Sequence, residues 1–122
     1  IKDHPIFKRD GANIYCRVPL AMSTATLGGQ IEVPTLGGGR ARISIKPGTQ
    51  SGTQFRLRGK GMSILRRQDK GDLYVEAAVE TPVNLSKEQK TLLEQFAETE
   101  SSKTSPEATG FFAKVKDLWT DL

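Results

Sequence analysis

DLYVEAAVE, residues 72–80, is the most regular segment of the chain, with Leu73, Val75, Ala77 and Val79 recurring at every second position. A period of two is the signature of a half-buried strand, because successive side chains of extended backbone point to opposite faces. Working backwards, NIYCRVPL (13–20) alternates in the same way, with Ile14, Cys16, Val18 and Leu20 on one face and Tyr15, Arg17 and Pro19 on the other. Pro19 has no backbone donor, which predicts that this strand lies at an edge or ends nearby. MSTATL (22–27) runs into Gly28-Gly29 and predicts a one- or two-turn helix with a glycine C-cap. QIEVPTL (30–36) and RARISIK (40–46) flank Gly37-Gly38-Gly39 as the arms of a hairpin, with Ile31, Val33, Ala41, Ile43 and Ile45 inward. Pro47-Gly48 marks a turn, Phe55 and Leu57 mark another short strand, and residues 59–71 form a basic, glycine-rich loop.

Residues 1–80 therefore predict a mainly β unit of five or more strands. The expected architecture is a small two-sheet sandwich or barrel-like domain with one short helix, followed by C-terminal amphipathic helices. After Pro82 the period changes. Ser86 and Gln89 form a capping-box pattern, and Leu92, Leu93, Phe96 and Ala97 line one face of a helix over 86–98. ETESSKTS (98–105) has no apolar residue and reads as a linker. Ser105-Pro106-Glu107 opens a second helix. Gly110 is unfavourable inside it, so the stable part is expected to begin at Phe111. Phe111, Phe112, Val115, Leu118, Trp119 and Leu122 form its apolar stripe, with Lys114, Lys116, Asp117 and Asp121 opposite. A helix this short is marginal alone in water, because nucleation is costly, so the stripe requires a partner surface. The domain divisions expected are 1–82, 83–98, 99–105 and 106–122.

Composition narrows the function. The chain has 122 residues, enough for one domain with a modest core, and it begins with Ile, which reads as a piece cut from something longer. The opening IKDHPIFKRD is charged and unlike a signal peptide, and no apolar run approaches the ~20 residues that a membrane helix needs. One cysteine, Cys16, excludes an internal disulfide and a multi-thiolate zinc site, and a single histidine, His4, excludes a His-pair metal site. Both suit a reducing, cytoplasm-like compartment. The formal charge of +4 is uneven: residues 1–72 hold 13 Lys/Arg against 5 Asp/Glu, and residues 73–122 hold 5 against 9.

Enzyme constellations fail one at a time. GTQSGTQFRLRGKG (48–61) lacks phosphate-loop spacing, since six residues separate Gly52 from Gly59-Lys60 and Gly61 follows the lysine. Cys16 sits inward on a strand, where an inert core thiol is expected. His4 has no visible nucleophile or orienting carboxylate, and Asp69 and Asp72 share a loop where solvated or capping carboxylates are the rule. Asn84-Leu85-Ser86 matches a glycosylation sequon, but Ser86 is better used as a cap. The rival to carry is a nucleic-acid-binding β-domain using the basic Arg56–Lys70 face, where Arg56, Arg58, Lys60, Arg66, Arg67 and Lys70 cluster. Against it, only Phe7, Tyr15 and Phe55 are available in that half for base stacking, so a solvated basic face is the reading preferred.

HPIFKRDG (4–11), LGGQIEVPTLGG (27–38), GTQSGTQFRLRGKG (48–61) and KGDLYVEAAVETPVNLS (70–86) resemble, in matching order, the second C-terminal β-domain of the DnaJ co-chaperone family. SPEATGFFAKVKDLW (105–119) resembles the extreme tail of its bacterial members. Five ordered blocks cover essentially the whole chain, and one departure is Gly37, where the family often has Asp in the turn. The resemblance implies a cytoplasmic, bacterial-type homodimer (or an organellar relative) that holds unfolded polypeptides and delivers them to a DnaK-type ATPase through its J domain. His4-Pro5-Ile6 is not the J domain's His-Pro-Asp motif. Zinc is implied only for a cysteine-rich region with no counterpart in this sequence, so no cofactor is expected. The resemblance also places the family's dimerisation helix on 86–97, with Leu92, Leu93 and Phe96 facing the partner. The stripe of Phe111, Phe112, Val115, Leu118 and Trp119 would brace the dimer. Client contact would fall on Tyr15, Leu20 and Met22, by strand addition and side-chain pockets.

Overall fold

Leu73–Glu80 is a strand, and it is the strand around which the β unit is built. The computed structural model describes residues 6–36, 38–59, 61 and 71–121. They comprise, in order, β1 (Phe7–Asp10), β2 (Asn13–Ala21), α1 (Met22–Leu27), β3 (Gly29–Pro34), β4 (Arg40–Ile45), β5 (Gln54–Leu57), β6 (Leu73–Glu80), α2 (Lys87–Thr99) and α3 (Pro106–Thr120). Two compact units divide the chain, Ile1–Pro82 and Val83–Leu122. Among the sequence expectations, His4, Gly37, Lys60, Arg66, Arg67, Asp69, Lys70 and Leu122 lie outside the described residues.

The first unit holds a four-stranded sheet ordered β1-β2-β6-β5 and a two-stranded sheet β3-β4. The mainly β, two-sheet architecture with following helices is thus the one expected. β6 pairs in parallel with β2 over Ile14–Ala21 and antiparallel with β5 over Gln54–Leu57. β1 reaches only from Asn13 to Cys16 of β2. At Pro19 the strand therefore has, among the described residues, a neighbour on one side alone, which is where a residue without a backbone donor is tolerated.

Both sheets turn their alternating apolar residues to one core. Ile14, Cys16 and Leu20 of β2, Leu73, Val75 and Ala77 of β6, Phe7 of β1, and Val33, Ile43 and Ile45 of the hairpin form a single buried cluster. Val18, Ile31, Ala41, Phe55 and Leu57 pack partly buried against it. Each large side chain so buried contributes about 1.5–3 kcal/mol. β1 was not legible beforehand: FKRD carries one apolar residue, and its pairing with β2 depends on the turn at Gly11. Ala78 is also buried, although the alternation of β6 places it on the opposite face.

α1 ends as the glycines require. Gly28 adopts φ +85° and its amide donates to the Thr24 carbonyl at 2.8 Å. A Cβ there would meet the Ile45 carbonyl oxygen and the Pro47 ring, each at 2.9 Å, so the position admits glycine on two counts.

Asp72 anchors the base of the basic loop. Its Oδ2 accepts from Arg56 Nε at 2.7 Å and Nη2 at 2.6 Å, and its Oδ1 accepts from the Gly59 amide at 3.0 Å. The Asp72 amide donates to Asn13 Oδ1 at 2.9 Å. The Gly59 amide first, and the Arg56 guanidinium second, hold the Asp72 carboxyl below its ordinary value. The unfolded chain therefore binds the extra proton, and the stabilisation is present above the ordinary carboxylate value of about 4 and fades as pH falls through it. We expect the thermal midpoint of the wild-type chain to drop more steeply below about pH 4 than that of Asp72→Asn, whose midpoint is already lower at neutral pH. Parallel curves from pH 7 downwards, followed by circular dichroism, would show that Asp72 is not the group responsible.

Candidate association surfaces

The helices of the second unit display their apolar residues openly. α2 begins on Ser86, whose Oγ accepts from the Gln89 amide at 3.1 Å while Gln89 Oε1 accepts from the Ser86 amide at 2.9 Å. This is the reciprocal cap expected from the sequence. Over the following turns Leu92 and Phe96 fall at i and i+4, with Leu93 and Ala97 beside them. Nothing in α2 is buried. Leu92 is 57% exposed, Phe96 is open, and Leu93 is half-buried. Val83 and Leu85, just before the cap, extend the apolar surface; they belong to no helical period, so pattern reading passed over them.

α3 starts at Pro106, five residues before the Phe111 start expected. Gly110 is accommodated within it. Pro106 occupies the first turn and Glu107 faces the positive helix end, which offsets the ~1 kcal/mol that a helical glycine costs. Nothing in α3 is buried either. Phe111, Phe112, Leu118 and Trp119 are exposed, Trp119 to 70%, and Val115 is half-buried. The Phe111 and Phe112 rings meet edge to face, with centroids 5.1 Å apart. This is a second amphipathic stripe bare of any covering element within the described residues.

In the first unit the three residues assigned to client contact part company. Leu20 is 2% exposed and belongs to the core, so it offers no surface; its place on the inward face of β2 already required this. Met22 is half-buried at the start of α1. Tyr15 is half-buried on the outer face of the four-stranded sheet, with its ring stacked on Tyr74. Tyr74 escaped the sequence reading because only the parallel β2-β6 register brings the two rings together.

The basic face is only partly described. Arg56 is committed to Asp72, and Arg58 is exposed. Cys16 is a buried thiol whose pKa is pushed up by burial, the behaviour of an inert core cysteine. Among the described residues no group of three or more His, Cys, Asp or Glu side chains converges as a metal site, and no helix is long and apolar enough to cross a membrane.

Known proteins share this pattern. The DnaJ C terminal domain model matches residues 1–82, and the model of the Chaperone protein DnaJ C-terminal region matches residues 88–121. The chain is 61% identical along its whole length to a Chaperone protein DnaJ of Paramagnetospirillum magneticum. It is 58% identical along its whole length to the protein of that name from Rhodospirillum centenum, and 59% identical to that of Acidiphilium cryptum. It spans about a third of the length of these relatives, 33%, 32% and 32% of them respectively. The β unit matches one family model from end to end and the helices after it match another, so the chain belongs to the DnaJ family as a bacterial-type C-terminal portion.

Proposed function

We propose that this chain is the self-associating part of a DnaJ-type co-chaperone and carries part of the surface that holds unfolded polypeptides. The observation that supports this is the helical unit itself: two amphipathic helices with no buried residue, whose apolar stripes gain stability only against another surface. A second copy presents the same stripes, and a symmetric pair covers both at once. Leu92, Leu93 and Phe96 form the centre of the contact, and the stripe from Phe111 to Trp119 braces it.

Client holding follows from pairing two such chains, which sets two β units side by side and lets one polypeptide engage both. Delivery to a DnaK-type ATPase, and any zinc, belong to regions of the full-length protein beyond this third, and the complex acts in the cytoplasm. The holding role is tested by diluting a chemically denatured enzyme into buffer with and without a molar excess of the chain. The expected result is slower growth of turbidity with the chain than with an inert protein of equal mass. Identical turbidity would remove the holding role while leaving association to be judged by its own measurement.

A further inference from the structure

On the outer face of the four-stranded sheet, the side turned away from the core, the register aligns two cross-strand rows. One row reads Lys8, Tyr15, Tyr74, Arg56, and the next holds Arg17, Glu76, Gln54. The Tyr15 and Tyr74 centroids lie 5.1 Å apart with planes 13° from parallel. Coplanar rings would overlap at that separation, so the two stand off the sheet face to face. One ring face of each is taken by the other, and Lys8 on β1 and Arg56 on β5 are the cross-strand neighbours on the two remaining sides. Over the rows lies a hollow of about 390 Å³, lined by Lys8, Tyr15, Arg17, Gln54, Tyr74 and Glu76 among others. That is the size of a small ligand site and room for two or three side chains.

Charge decides what fits. Lys8 and Arg17 bracket Tyr15 from two sides, both exposed, and neither has an ion-pair partner among the described residues. Arg56, at the far end of the tyrosine row, is held by Asp72. The hollow therefore offers two uncommitted cations next to an amphipathic aromatic pair, with the Gln54 amide and the Glu76 carboxylate as acceptors for backbone N–H groups. Extended peptide repeats the same face every ~6.8 Å, the spacing of successive rows along the sheet itself. A segment lying along β2 can thus set an apolar side chain on the tyrosine row and a carboxylate between Lys8 and Arg17. A nucleic-acid strand is served less well: the rings turn one face each to one another instead of to bases.

We propose that this face is a docking site for an extended polypeptide segment in which acidic and aromatic residues alternate along one face, two positions apart in sequence. It rests on the polypeptide-holding reading and deepens it, placing the contact on Tyr15, Tyr74, Lys8 and Arg17 instead of on an edge-strand pocket.

The test is fluorescence anisotropy on the 122-residue chain with three labelled probes: a peptide in which glutamate and phenylalanine alternate at every second position with serine between them, so that both fall on one face, the same peptide with lysine for glutamate, and an oligothymidine. The acidic peptide binds in preference to both others. Lys8→Glu/Arg17→Glu weakens it by about tenfold or more, the effect of losing a charge-assisted contact, and shifts preference to the lysine peptide. Tyr15→Ala/Tyr74→Ala weakens both peptides. Both changes lie outside α2 and α3 and leave the sedimenting mass unchanged, so failure here is distinguishable from failure of association. Should the tyrosine variant unfold, the charge-reversed one, altered only at exposed side chains, still decides. Equal binding of the two peptides, unchanged affinity after charge reversal, or preference for the oligonucleotide would each overturn the proposal.

Discussion

Replacing Gly71 with alanine is expected to lower the thermal midpoint of the β unit by roughly 12–24 °C, the consequence of about 3 kcal/mol or more of lost stability. The reason is space. Gly71 runs directly against the turn between β1 and β2, and a Cβ built on it falls on the carbonyl of Ala12. Backbone cannot give way as a flexible side chain can. The alternative to the clash is to separate Gly71-Asp72 from residues 12–14, which breaks the bonds from the Ile14 amide to the Asp72 carbonyl (2.9 Å) and from the Asp72 amide to Asn13. It also disturbs the bond from the Gly61 amide to the Gly71 carbonyl, at 2.8 Å. Gly61 is buried in the same place, where its Cβ would lie 2.6 Å from the Ala12 oxygen. The control is Gly48→Ala. That glycine has φ +82° but open space around it, so only backbone strain of about 1–2 kcal/mol is expected. Thermal melts of the two variants check the contrast, and equal losses would show that the packing at Ala12 is not what requires Gly71.

The other large effect concerns association. Leu92→Asp/Phe96→Asp is expected to weaken self-association by about a hundredfold or more, because each apolar side chain lost contributes ~1.5–3 kcal/mol when fully buried and a symmetric pair loses it twice. Both residues are exposed in the single chain and lie in the unit Val83–Leu122, so the melting of the β unit should stay within a few degrees of wild type. Sedimentation equilibrium over a concentration series reads the first effect and circular dichroism the second. A variant that associates as tightly as the wild type would move the contact elsewhere, Phe111 to Trp119 being the remaining stripe.

Which parts of this were legible in the sequence follows from the range of the interactions involved. β6, β2 and the β3-β4 hairpin are written in local alternation, and α2 in a cap that closes within three residues, Ser86 to Gln89. The two apolar helical stripes are equally local, so the residues proposed for association came from periodicity and resemblance together. Long-range geometry was hidden. The parallel β2-β6 pairing joins residues about sixty apart in sequence, and it alone creates the Tyr15-Tyr74 stack and the rows of charge beside it. The need for Gly71 likewise rests on Ala12, which no spacing rule connects with it. Leu20 shows the reverse error: alternation had already turned it inward, and assigning it to a client surface set that local signal aside.

The central claim is that the function of this chain rests on apolar helical faces that another copy covers. Sedimentation equilibrium of the wild-type 122-residue chain at low micromolar and higher concentrations tests it most directly. The account predicts a mass twice that of the 13.4 kDa chain, approached as concentration rises. A mass of one chain throughout the series would contradict it.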